Sequence, residues 1–291
     1  MPTIIYLAMP ENFSFEQTLF GHGWSQLAPF EIDRENLTLS YVFNASVVPF
    51  SAQISESDGV IKVEIAQSKL NQSAKNKITR DVRHILRLDD DLQEFYKSTA
   101  TEKRLSWIAE NNAGRLLRSP TVYEDLVKTV CTTNCSWALT KKMTANMVEK
   151  LGEAAADGKR AFPTAEKMAS VSEEFYKDEI RAGYRSAYFA ELAETVASGK
   201  INPESWLNID LPTKELKKQM KQIKGVGDYA AENLLKLVGR YDGLALDSWL
   251  RAKFYERHNG GVICEDKEIE KFYKPFGDWC GLTIWCDMSG K

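Results

Sequence analysis

Residues 214–251, KELKKQMKQIKGVGDYAAENLLKLVGRYDGLALDSWLR, read as a helix, a tight glycine turn, a second helix and a loop that ends on one carboxylate, Asp247. Leu216, Met220 and Ile223 recur at helical spacing among lysines, which predicts an amphipathic helix. Gly225-Val226-Gly227 then supplies two positions free to take positive φ, and such a turn exposes backbone N–H groups. Asp228 is the expected cap of the second helix, whose apolar face is Ala231, Leu234, Leu235 and Val238, with Gly239 where a left-handed stop belongs. Exposed amides at the positive end of a helix suit a phosphate.

The chain has 291 residues and a formal charge of −3, with apolar and charged fractions of an ordinary globular protein. The net charge lends no support to nucleic-acid binding, which needs Lys and Arg against phosphate. Its distribution says more: ten Lys or Arg face six Asp or Glu between Lys214 and His258, a locally positive region that also fits a solvated helix face. No stretch approaches a membrane span, and MPTIIYLAMPENFSF turns polar too soon for a signal peptide, so a cytoplasmic, nucleoid-associated monomer is expected. The five cysteines, Cys131, Cys135, Cys264, Cys280 and Cys286, form no C-x-x-C pair and suggest no disulfide framework. His22, His84 and His258 have no metal-ligand spacing and are expected to be surface or packed imidazoles.

Upstream, Thr3–Met9, Leu37–Phe43, Val47–Ile54 and Val60–Ile65 are short, β-branched or aromatic runs, expected as strands, with Asp58-Gly59 as a hairpin turn. Phe15 to Gly23 suits a short helix leading into Trp24. Near Ser68 the period changes, a basic run from Lys69 to Arg87 follows, and the rest of the chain is helical with short loops. One sheet followed by helices argues for an α+β chain, with a sheet domain over 1–87 and a helical domain over 88–291.

Within the helical part, Ser119-Pro120 is expected to cap and open a helix with the stripe Val122, Leu126 and Val130, ending near Cys131. A polar corner, Thr132-Thr133-Asn134-Cys135-Ser136, separates it from a helix over Ala138–Leu151. Ala182-Gly-Tyr-Arg-Ser-Ala-Tyr188 opens another helix, in which Tyr188 is expected in the core. Lys271 to Cys286 reads as one last helix whose aromatics Phe272, Tyr273, Phe276 and Trp279 are mostly core.

These residues together resemble the helix-hairpin-helix DNA glycosylase superfamily, in which a Gly-hydrophobic-Gly hairpin precedes a Gly/Pro-rich loop and a catalytic aspartate. Gly225, Val226, Gly227 and Asp247 match, although Gly243-Leu244-Ala245-Leu246 lacks the usual proline. The corner at Asn134 is similar to the one that 8-oxoguanine DNA glycosylases place where the flipped base left the duplex, with Leu139 standing where those enzymes carry an arginine. Tyr184 and Arg185 match a tyrosine-arginine pair in which the tyrosine wedges into DNA and the arginine faces the orphaned strand. Trp285 resembles a pocket tryptophan of bacterial 3-methyladenine DNA glycosylase II, and Ile284 falls near a base-reading glutamine of the 8-oxoguanine enzymes. The resemblance implies a TBP-like antiparallel sheet domain followed by an all-α glycosylase domain.

It also implies roles. Gly225, Val226, Gly227, Lys224, Asn134, Tyr184 and Arg185 would meet double-stranded DNA that carries a damaged base. Tyr229 and Trp285 would line the base pocket, and Lys221 with Lys224 would face phosphates. The backbone carbonyls of Lys221, Ile223 and Val226 would hold a monovalent cation, and the cysteine spacing does not suit the iron–sulfur cluster of some relatives. Cleaving an N-glycosidic bond leaves positive charge on the sugar, which a fixed carboxylate, Asp247, would stabilise. Relatives that also cut the strand carry a lysine at the position of Tyr229; without that amine no imine forms, and hydrolysis to an abasic site is expected. An electron-rich ring there favours cationic alkylated purines. Two alternatives remain: oxidised guanine as substrate, and a non-catalytic damage-binding protein.

Overall fold

The computed structural model describes residues 2–66 and 70–290. Ser68 and Lys69, where the sequence turns basic, lie outside the described residues. The chain is α+β. Its first part holds β1 (Thr3–Ala8), α1 (Phe15–Phe20), β2 (Glu31–Asp33), β3 (Thr38–Phe43), β4 (Phe50–Ser57) and β5 (Val60–Ile65), followed by α2 (Gln72–Leu86). The strands form one antiparallel sheet in the order β1-β5-β4-β3-β2. Asp58 and Gly59 make the β4–β5 turn with φ of 51° and 77°, and two positive φ values match the twist of the flanking strands. Two sequence expectations change: β4 begins at Phe50, leaving Val47 almost fully exposed, and the three-residue β2 is an additional edge strand paired to β3.

One face of the sheet is covered by α1 and α2, which bury Phe15, Leu19, Ile78, Val82 and Ile85 against Leu39, Ile54, Ile61 and Val63. The helices that follow are α3 (Gln93–Ala100), α4 (Ser106–Glu110), α5 (Val122–Thr132), α6 (Trp137–Leu151), α7 (Ala165–Ala169), α8 (Glu173–Asp178), α9 (Ser186–Ala197), α10 (Thr213–Met220), α11 (Asp228–Leu237), α12 (Ser248–His258), α13 (Asp266–Tyr273) and α14 (Cys280–Ser289). They divide between two cores. One joins α5–α11; the other joins α3, α4 and α12–α14. Among the described residues no helix is long and apolar enough to cross a membrane.

Helix α5 is central: every residue from Val122 to Cys131 is buried. Its charged side chains are therefore paired rather than solvated, as burial demands. Lys128 meets Glu124 at 2.6 Å, and Glu124 also accepts the Tyr41 hydroxyl of β3 at 2.6 Å. Asp125 accepts the Trp24 indole N–H at 2.7 Å and the Ser119 amide at 2.8 Å. Ser119 is thus spent on the core, and Thr121 caps the helix instead by accepting from Glu124 N–H. The expected single last helix is broken as well. Pro275 lacks an N–H and Gly277 takes φ 53°, ψ −128°, so a 3₁₀ segment over Lys274–Trp279 separates α13 from α14.

Candidate active site

The hairpin turn forms with one of its two glycines at positive φ, since Gly227 is extended at φ −86°. Gly225 has φ 87°, and a Cβ there would stand 2.9 Å from the Tyr188 ring, so Tyr188 is a half-buried wall of the turn. Leu216, Met220, Ile223 and Val226 are buried beneath it, which leaves Val226 only its backbone to offer a ligand. Asp228 does not cap α11: Gly227 is the N-cap residue, and the Asp228 carboxylate is held by Lys221 at 2.9 Å and Lys217 at 3.1 Å. The first amides of α11 are consequently free of side-chain caps and open at the positive end of the helix. Lys224, expected against phosphate, pairs with Glu191 of α9; exposed pairs of this kind are weak, and a phosphate can displace the carboxylate. Of the three carbonyls expected to hold a cation, that of Ile223 already accepts Val226 N–H at 3.0 Å, so it would share its second lone pair.

At the other end of α11, Gly239 (φ 88°) donates to Lys236 O and Arg240 donates to Leu235 O at 2.8 Å. This is the left-handed stop that the glycine predicts. The loop that follows delivers Asp247 to the N-cap of α12, where Oδ1 accepts Leu250 N–H at 2.7 Å. Oδ2 has no hydrogen bond among the described residues. Asp247 is half-buried and fronts a cleft of about 1280 Å³ between the two helical cores.

Tyr229, Trp285, Asn134, Tyr184 and the hairpin all line that cleft with Asp247. Burial, then the Asp247 charge, raise the Tyr229 phenol above its ordinary value, so it stays neutral. Trp285 is fixed by its indole N–H, which donates to Gly21 O at 2.7 Å, and its ring lies 6.2 Å from that of Trp249. Asn134 is exposed at φ 47°, a left-handed conformation that asparagine tolerates. Tyr184 is 55 % exposed at the rim.

Arg185 requires correction. It is 3 % exposed, its guanidinium donates to Thr133 O, and it lies 4.5 Å from the Tyr184 ring centroid. It braces the Asn134 corner and Tyr184 from below rather than facing DNA. Ile284 is fully buried in the C-terminal core and turned from the cleft. Leu139 is exposed on the first turn of α6, outside the cleft wall.

Three groups escaped sequence reading. The sheet domain contributes His22 and Trp24 to the cleft wall, with ring centroids 4.1 Å apart. Burial chiefly, and then the nearby Arg87, lower His22 to about 3, so its imidazole is neutral. Trp137 and Trp249 add exposed indole faces; a pair of tryptophans next to helix starts was the available signal. Lys236, 2 % exposed on α11, has an ammonium with no hydrogen-bond partner among the described residues, lowered to about 8 by burial and opposed by the pull of Glu232. It lies outside the cleft wall.

Neither a protein-family model nor a curated protein matches this sequence. Solved structures do match its fold. A 3-methyladenine DNA-glycosylase from Archaeoglobus fulgidus aligns at TM-score 0.76 and 18 % identity over 97 % of this chain and 98 % of that one. An apo 8-oxoguanine glycosylase/lyase from Clostridium acetobutylicum aligns at TM-score 0.77 and 17 % identity over 100 % and 98 %. MBOgg1 in complex with a low affinity DNA ligand aligns at TM-score 0.77 and 20 % identity over 99 % and 95 %. The architecture of this chain is therefore the one found in these solved structures.

Proposed function

We propose that this protein is a monofunctional DNA glycosylase that flips a damaged base out of double-stranded DNA and removes it by hydrolysis, leaving an abasic site, with alkylated purines of the 3-methyladenine kind as its substrates. One observation carries the reading. A carboxylate with one free oxygen, Asp247, shares an aromatic cleft with a neutral tyrosine, Tyr229, on the helix whose open N-terminus faces the same cleft.

Each part has a task. The hairpin amides hold a backbone phosphate and set the register of the duplex without reading its sequence. Tyr184 at the rim and Asn134 at the corner suit the place of the extruded base, whose unstacking costs a few kcal/mol. Tyr229, Trp249 and Trp285 offer flat electron-rich faces to it. A cationic purine gains about 0.5–2 kcal/mol from such a face, which a neutral purine does not. As the N-glycosidic bond breaks, positive charge develops on the sugar, and the free oxygen of Asp247 stabilises it and orients water for attack. Among the described residues, the two lysines that line the cleft, Lys221 and Lys224, pair with Asp228 and Glu191.

Duplexes that contain 3-methyladenine, 7-methylguanine or 8-oxoguanine, treated with the protein and then with alkali, test the reading. Strand cleavage is expected at the methylated purines and only after alkali; no cleavage across the alkylated set refutes the assignment. Cleavage at 8-oxoguanine alone would instead favour the second reading, which the Asn134 corner supports. Borohydride added during turnover is expected to trap no protein–DNA adduct, because Tyr229 carries no amine to form an imine; a trapped adduct contradicts the hydrolytic mechanism.

A further inference from the structure

We propose that Glu232 is the positioning residue for Asp247: it tethers the loop that carries the aspartate in a left-handed conformation the loop would not hold alone. This inference rests on the glycosylase reading of the cleft. Glu232 lies on α11, half-buried, with its carboxylate aimed at the loop between α11 and α12. Its Oε2 accepts the Ala245 amide at 2.5 Å, and its Oε1 accepts Lys217 Nζ of α10 at 2.5 Å. Its Cγ also lies 3.4 Å from where a Cβ on Gly243 would stand, so stem and carboxylate together follow the loop.

Ala245 is the residue that needs holding. It is 1 % exposed and has φ 54°, a region that side chains other than glycine rarely occupy. Among the described residues no other hydrogen bond holds the backbone of residues 243–246. Two residues later the chain reaches Asp247, whose own cap on Leu250 fixes its side chain but not the path into it. The missing proline of this loop now has a reason: at residue 245 a proline could neither take positive φ nor donate to Glu232. In place of a ring that stiffens the loop, this chain uses a charge-assisted hydrogen bond from the helix beneath it.

Single-turnover release of a methylated purine, affinity for the same duplex, and exchange of the Ala245 amide test the tether. Glu232→Ala is expected to slow release about 10- to 100-fold through misplacement of the carboxylate, with affinity within about twofold of the parent. Glu232→Gln keeps an oxygen for the Ala245 amide and should release within about threefold of the parent. Adding Ala245→Gly to Glu232→Ala should recover about tenfold, since glycine enters positive φ freely. Ala245→Pro, which leaves Glu232 intact, should be as slow as Glu232→Ala, and it keeps the test open if Glu232→Ala does not fold. The proposal is overturned if Glu232→Ala or Ala245→Pro releases base at the parental rate, if Glu232→Gln is as slow as Glu232→Ala, or if Ala245→Gly rescues nothing. A parent protein that releases no base refutes the glycosylase reading instead; the Ala245 amide, slow to exchange in the parent and fast in Glu232→Ala, then still reports the tether, and an unprotected amide in the parent sinks it.

Discussion

Asp247→Asn is expected to reduce base release by at least about 100-fold, the scale on which one group aimed at developing charge contributes. The fold should survive, because asparagine caps a helix as well as aspartate does, and the Leu250 amide keeps its acceptor. What disappears is the negative charge opposite the sugar. Duplex affinity should stay within about twofold, since it depends on phosphate contacts made by the hairpin and its lysines. A gel assay for base release beside a fluorescence-anisotropy titration separates the two effects. Release at the parental rate would remove Asp247 from the chemistry; loss of binding together with release would mean that Asp247 shapes the site rather than acts in it.

Gly281→Ala is expected to destabilise the protein by about 2–3 kcal/mol, the usual cost of forcing atoms into a packed interior. Gly281 opens the buried side of α14 and donates its amide to Tyr241 O at 2.7 Å. A Cβ at Gly281 would lie 2.7 Å from that same oxygen and closer still to Gly243 O. Both obstacles are backbone, so no rotamer change relieves them. Denaturant unfolding measures the loss. Relief must come from movement of residues 241–243, which lead to Ala245 and Asp247, so the folded fraction should also release base more slowly. A variant with parental stability would show that α14 and this loop are less closely fitted than their hydrogen bond implies.

Much of the site was legible because its signals are local. Gly225 and Gly239 sit at positive φ where the turn and the stop were expected, and the buried stripe of α10 and α11 follows the 3.6-residue period. The contrast at position 228 is instructive. Aspartate at a helix start ordinarily caps it, yet Lys217 and Lys221 across the hairpin compete for the carboxylate and win. Arg185 differs in the same way: the resemblance implies a DNA contact, but the carbonyl of Thr133 draws it inward.

By itself the sequence determined the order of sheet and helices, the glycine hairpin and the aspartate after it, all properties of residue type and short spacing. Only the tertiary structure decided how the cleft is closed. Trp285 reaches Gly21 across 264 residues of chain, His22 and Trp24 arrive from the sheet domain, and Glu232 finds the Ala245 amide from the far side of a loop. Periodicity and capping act within a few residues, whereas a buried indole or carboxylate takes whichever partner the packed cores bring within about 3 Å.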